Sequence, residues 1–356
     1  MKLKRLYLKN FRSYSESVFE FTDGVNVICG ANGLGKTNLL EAVYLLSGAR
    51  SWRSQKNAEL IKWDTDGAYI FADVFSRDRD FEMKITLPDR SRGTVTINGV
   101  KIQKKAKMSE VIRCVIFSPE DLFLIKGPSA GRRGLLDGAL CQLSIKYSDN
   151  LSRYEKILEQ KRKILTSHEN LALMPEYNYQ LAYYGGQIIV ARGKLCKELE
   201  EKAKEYHKLI SGGKEELSIE YKTVSAVSSL ENDVNTIIKE LYDHLCAMES
   251  AEIAAESCLS GIHKDDLVFT INGKNAKAFA SQGQSRTAAV ALKFAERELL
   301  RDGDEYPILL LDDVMSELDA PRQNFIASHS LGGQTFISCC NEISIKENST
   351  KIINIE

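Results

Sequence analysis

No run of apolar residues in this sequence is long enough to span a bilayer. The start, Met1-Lys2-Leu3-Lys4-Arg5, leads into alternating residues with Lys9 and Arg12, not into the apolar stretch of a signal peptide. Eight cysteines are present, but they form no CxxC pair and show no His/Cys metal spacing. They fit buried thiols in a reducing cytosol, so a cytoplasmic protein with no membrane partner is expected. An excess of one charge is also missing. Lys and Arg number 48 and Asp and Glu 49, giving a net charge of −1. A nucleic-acid partner would therefore have to meet a local basic surface. Neither internal repeats nor low-complexity tracts occur, and sustained heptads are absent, which excludes a long coiled-coil arm. What remains is a globular chain of 356 residues, 43% hydrophobic and 27% charged, long enough for a full core and a second lobe.

Within that ordinary chain one stretch stands out, Gly30-Ala31-Asn32-Gly33-Leu34-Gly35-Lys36-Thr37. Val25–Cys29 before it reads as a buried strand, and Asn38–Leu46 after it as a helix. In that setting, glycines let backbone N–H groups turn inward on phosphate oxygens, and the helix N-terminus adds partial positive charge. All eight residues are candidate ATP ligands. Lys36 would meet the β/γ-phosphates, and the Thr37 hydroxyl would ligate Mg²⁺. Ile308–Leu311 followed by Asp312-Asp313 is a Walker B pattern, a buried strand that delivers carboxylates to its C-terminal end. Asp312 would hold Mg²⁺, and Asp313 would orient or deprotonate the attacking water.

The remaining pattern divides the chain. Leu3 to Phe11 and Val18 to Phe21 read as strands, as do Ala68–Phe75, Asp80–Leu87 and Thr94–Ile97. Turns are expected at 76–79 and at Pro88-Asp89-Arg90. This is an antiparallel block inside an α/β pattern. Val111–Phe117 is a further buried strand, and Ser118-Pro119-Glu120-Asp121 a helix start. From there to about Tyr242 the chain is mostly helical, with long stretches at Tyr147–Leu165 and Tyr177–Ile210 separated by Met174-Pro175 and a brief strand at Leu217–Tyr221. Strand, turn and helix return with Asp266–Ile271, Asn272-Gly273, Ala288–Leu300 and Thr335–Ser338. The expected fold is α/β: a P-loop ATPase head from residues 1–117 and 258–356, with a mainly helical lobe, 118–257, inserted between.

Ser281-Gln282-Gly283-Gln284 opens the Ala288–Leu300 helix region and resembles the Ser-x-Gly-Gln core of the ABC signature, while Ser316-Glu317-Leu318-Asp319 resembles the D-loop. Further motifs are Leu8-Lys9-Asn10-Phe11-Arg12-Ser13, Phe117-Ser118-Pro119-Glu120-Asp121-Leu122, Gly131-Arg132-Arg133-Gly134-Leu135-Leu136-Asp137 and Gly261-Ile262-His263-Lys264-Asp265-Asp266-Leu267. Together, over nearly the whole chain, these resemble the RecF family of ABC/SMC-like heads. The resemblance implies an ABC-type head with slow ATP hydrolysis, closing as an ATP-dependent homodimer on gapped or junction DNA. It implies RecR and RecO as partners in loading RecA. It also adds Arg12, Ser281, Gly283 and Gln284 to the nucleotide contacts. Departures are Ile262 and Lys264 where the family has Pro and Arg, and Asp313 where most ABC ATPases have Glu. A transport ATPase is the competing reading. The absence of a Gln after Val111–Phe117 and of a switch His after Thr335–Ser338, where Cys339-Cys340-Asn341 follow, speaks against it. A third reading is a nucleotide-gated module that never hydrolyses ATP, against which Asp312 and Asp313 speak. Between Lys84 and Arg133 there are seven more Lys/Arg than Asp/Glu. Lys101, Lys104, Lys105, Lys107, Arg132 and Arg133 are accordingly the candidate DNA contacts.

Overall fold

The computed structural model describes residues 1–54, 56–88, 93–223, 227–339 and 350–355. The turn expected at Asp89-Arg90 and the strand end at Cys340-Asn341 lie outside them. The N-terminal part builds a six-stranded antiparallel sheet in the order β2 (Tyr14–Glu20), β1 (Lys2–Phe11), β4 (Gly67–Ser76), β5 (Arg79–Pro88), β6 (Thr94–Ile97), β7 (Val100–Ile102). A second sheet has five parallel strands: β14 (Lys351–Asn354), β3 (Val25–Cys29), β13 (Thr335–Cys339), β12 (Ile308–Leu311) and β8 (Cys114–Phe117). The strand expected from Val111 begins only at Cys114, because 105–110 form a short 3-10 helix whose last turn carries Val111.

The parallel strands are apolar on both sides because the sheet separates two cores. Val27, Val115, Phe117, Leu309, Leu311 and Ile337 face one cluster, which continues into the helical lobe. Ile28, Cys114, Ile116, Ile308, Leu310 and Phe336 face the other, shared with α1 (Lys36–Leu45) and the antiparallel sheet. Asn26 is the polar exception in β3. It is buried, and its amide both accepts from and donates to the Thr22 backbone, each at 2.9 Å. That pairing removes the cost of burying it.

The lobe contains α2 (Ser129–Leu143), α3 (Ile145–Ser167), the 37-residue α4 (Met174–Ile210), α5 (Val234–Ala247) and α6 (Glu249–Ala254). Pro175 sits in the first turn of α4, where a missing N–H costs nothing, so it starts this helix. Strand β9 (Leu217–Lys222) pairs with β10 (Asp266–Ile271), which turns through Asn272-Gly273, both at positive φ, into β11 (Lys274–Asn275). This small sheet crosses the boundary expected at 257/258, and the lobe shares a continuous core with the parallel sheet. Next come α7 (Ala276–Phe279), α8 (Gln282–Leu299) and α9 (Ala320–His329).

An ionic network ties α2, α3, α4, β9 and the Gly261–Leu267 segment together. Arg132 makes a two-pronged contact with Asp266 at 2.6 and 2.9 Å and donates to the carbonyls of Leu124 and Gly127. Arg192 does the same with Asp137, at 2.8 Å twice, and donates to the Ile262 carbonyl. The Tyr221 hydroxyl donates to Asp265, which is fully buried and lies 3.5 Å from Arg192. Arg133 donates to the Asp265 carbonyl at 2.6 Å. Two of the sequence motifs thus interlock here, with buried charges matched by carboxylates and carbonyls.

Candidate nucleotide site

β3 ends at Cys29, and residues 30–35 turn the chain into α1. Gly35 has φ +106, and a Cβ there would meet Ser13 Oγ at 2.7 Å, so glycine is required twice over. A Cβ on Gly30 would meet the Ile355 carbonyl oxygen at 2.7 Å, because the chain end packs against the loop. The Tyr14 hydroxyl donates to the Gly35 carbonyl at 3.0 Å. Lys36 is buried, and its ammonium donates to the carbonyls of Gly30 (2.8 Å) and Ala31 (3.1 Å).

The carboxylates of β12 reach this loop across β13, the strand between. Thr37 Oγ1 donates to Asp312 Oδ1 at 2.9 Å, and Ser338 Oγ on β13 donates to the same oxygen at 2.9 Å. Ser338 Oγ also accepts the Asp313 N–H at 2.8 Å, which holds Asp313 at φ 50 as the chain leaves the sheet. Burial pushes the Asp312 carboxyl above its ordinary value, while the Thr37 and Ser338 hydroxyls pull it down. Ser338 was legible as part of a strand, but its role in bridging the two motifs was not.

Arg12 is committed elsewhere. Its guanidinium grips the fully buried Glu41 of α1 at 2.7 and 2.8 Å and reaches Ser54 Oγ and the Glu59 carbonyl. Its neighbour Ser13 stands against the phosphate loop and accepts from Asn38 at 2.9 Å. Arg53 donates to Asn38 at 2.8 Å, and its charge lowers the Asp312 carboxyl. Arg53 also pairs with Glu41, at 3.5 Å, so both arginines stand on one buried carboxylate of α1, with Arg53 the more exposed of the two and its polar loop without a signal in the sequence.

Ser281 caps α8. It accepts from Gln284 N at 3.1 Å while the Gln284 side chain accepts from Ser281 N at 2.8 Å. Gln284 also donates to Glu215 at 2.9 Å, beyond the end of α4. Arg322 of α9 donates to the Gly283 carbonyl and to Thr287, each at 2.7 Å, fastening the segment after Walker B to the signature helix. Ser281 itself is exposed. His263 faces the Tyr154 hydroxyl at 3.2 Å and the Cys258 carbonyl at 3.4 Å, and burial pushes its imidazole down to about 4.

Of the candidate DNA contacts, Lys101, Lys104, Lys105 and Lys107 are exposed, with Lys104 paired to Asp149. Arg132 is overturned as a surface contact: it is 1% exposed and its guanidinium serves the network above. Arg133 is half-buried and also donates to Ser129 Oγ at 2.8 Å.

A glycine-rich loop joined through a threonine to a strand-end aspartate, with a capped signature helix tied to the following segment, defines a P-loop ATPase head of the ABC type. The RecF/RecN/SMC N terminal domain family matches residues 2–355. A "DNA replication and repair protein RecF" of Clostridioides difficile (strain 630) is 36% identical, covering 100% of this chain and 97% of the relative. One of Clostridium kluyveri is 38% identical, covering 98% and 95%. A solved "recombination mediator protein RecF-ATPrS in RecFOR pathway" superposes with TM-score 0.89 and 33% identity over 97% of this chain and 94% of that one. An SMC head bound to the C-winged helix domain of ScpA, at TM-score 0.55 and 17% identity, shares the fold alone. The chain belongs to the RecF family. It is an ATP-binding ATPase of DNA replication and repair, and these likenesses lend nothing to the transport reading. No helix among the described residues is long and apolar enough to cross a membrane.

Proposed function

We propose that two copies of this chain close over two ATP molecules, each signature covering the partner's nucleotide, and grip gapped or junction DNA. RecR, with RecO and RecA in the same pathway, would be the protein partners. The observation that carries this reading is the exposed N-terminus of α8. Ser281 caps the helix and is presented to solvent, while Thr37, Asp312 and Ser338 form a separate, largely buried junction at the strand ends. Phosphates held at that junction would need a second molecule to meet the signature.

Thr37 and Asp312 offer two hard oxygens 2.9 Å apart, which suits Mg²⁺, an ion that takes few protein ligands and keeps waters and phosphates. When bound, Mg²⁺ would neutralise charge on the phosphates. Lys36 supplies positive charge to the β/γ-phosphates, and Asp313 orients or deprotonates the attacking water. Arg53 and Ser13 flank the loop. DNA would follow Lys101 of β7 and Lys105 and Lys107 of the 3-10 helix after it, whose exposure supports backbone contact.

The deciding measurement is mass in solution without nucleotide, with ADP and with ATP, in the presence and absence of gapped duplex. ATP should produce a dimer that DNA reinforces. Ser281→Arg should bind ATP and stay monomeric. A Ser281→Arg dimer as stable as the parent's would sink the composite site.

A further inference from the structure

Cys29 is the last residue of β3 and Cys339 the last of β13. The two strands are parallel neighbours, and these cysteines are register partners. Their side chains leave the sheet on the same face, into the lobe-side cluster. The sulfurs are 3.3 Å apart. Adjacent strands lie about 4.8 Å apart, a backbone separation that a disulfide accommodates. Each thiol adjoins the nucleotide site: Gly30 of the phosphate loop follows Cys29, and Ser338, which bonds Asp312, precedes Cys339. Both are buried, at 6% and 7% exposure against 0% for Cys114, and lie where the strands end.

We propose that Cys29 and Cys339 are an oxidation site, converted by a peroxide to a disulfide that distorts the phosphate loop and weakens ATP binding. One thiolate attacks the peroxide oxygen, giving a sulfenic acid and releasing water once the leaving hydroxide takes a proton. The second sulfur then attacks the first, forms the S–S bond and expels a second water. Two thiols are oxidised and one peroxide is reduced, with no other reactant. The sulfurs must close from 3.3 Å to about 2.05 Å. The strand ends that absorb this closure carry Gly30 on one side and Ser338 on the other.

The test uses the whole chain, reduced, desalted and treated with a large molar excess of hydrogen peroxide. Digestion without reductant should yield peptides joined through Cys29 and Cys339, lighter than their sum by two hydrogens. The same link should form in Cys340→Ser, which removes the adjacent thiol as an alternative. Affinity for a fluorescent ATP analogue should fall about tenfold or more on oxidation, the loss of one hydrogen bond to a charged phosphate, and return with dithiothreitol. In Cys29→Ala and in Cys339→Ala, each compared with its own reduced state, peroxide should leave affinity unchanged. If one variant fails to fold, the other and the parent's peptide map still decide. Absence of the 29–339 link, or a link without loss of ATP affinity, overturns the proposal.

Discussion

Charge is handled differently in the helical lobe and at the ends of the parallel strands. In the lobe, Arg132 and Arg192 each clasp a carboxylate with two prongs and spend remaining donors on carbonyls. Lys161 and Glu252, both fully buried, lie 2.6 Å apart. At the strand ends, the buried Asp312 is met by hydroxyls, and Lys36 reaches backbone carbonyls. A buried charge answered by an opposite charge is finished business and stabilises one arrangement of helices. A buried carboxylate answered by neutral dipoles keeps a raised affinity for protons or cations, and that readiness is what a nucleotide site needs.

The largest expected effect comes from breaking the finished side. Arg192→Ala strands Asp137 and Asp265 without their partner and should lower unfolding stability by about 3–5 kcal/mol in a denaturant titration. A loss below about 1 kcal/mol would mean that the network does not hold the lobe. Next is the unfinished side. Lys36→Ala should weaken ATP binding about tenfold to a hundredfold, the worth of a hydrogen bond to a charged group, with little change in melting temperature. Asp313→Asn should keep ATP affinity and slow turnover, and a variant with parental turnover would remove Asp313 as the base. A sharp drop in stability for Lys36→Ala would erase the contrast between the two regions.

A smaller effect is expected from Lys101, Lys105 and Lys107 replaced together by Gln. Binding to gapped duplex should weaken, and its log–log salt slope should shrink by about 2–3 units as fewer counterions are released. Arg132→Gln should leave that slope alone, since its side chain is internal; a flattened slope would restore it as a phosphate contact. His263 should matter least at neutral pH. Its folded pKa of about 4 lies below the ordinary 6.5, so the folded state disfavours the imidazolium. That stabilisation is present above pH 6.5 and is lost as pH falls towards 4. His263→Gln, whose amide keeps the bonds to Tyr154 and Cys258, should therefore melt with a flatter pH dependence across that window. Parallel melting curves would show that His263 titrates normally.

The nucleotide loop, Walker B strand and capped signature were legible because each is a local pattern, in which strand, glycine turn and cap lie within a few residues of one another. Arg132 was misplaced because its partner, Asp266, is 134 residues away. A run of basic residues looks the same whether it ends in water or in a buried carboxylate. The pairing that crosses the divide drawn at 257/258 was hidden for a similar reason. The alternation in Leu217–Tyr221 announces a strand but not that its neighbour is Asp266–Ile271. Arg12 sits in a family motif, yet only the fold reveals that Glu41 claims it.

Helix α4 gives these arrangements a mechanical meaning. At 37 residues it is about 55 Å long, and just past its end Glu215 accepts from the signature residue Gln284. It is packed along its length against α3, α5, α8 and β9, so one unbroken rod links the signature segment to the far end of the lobe at Pro175.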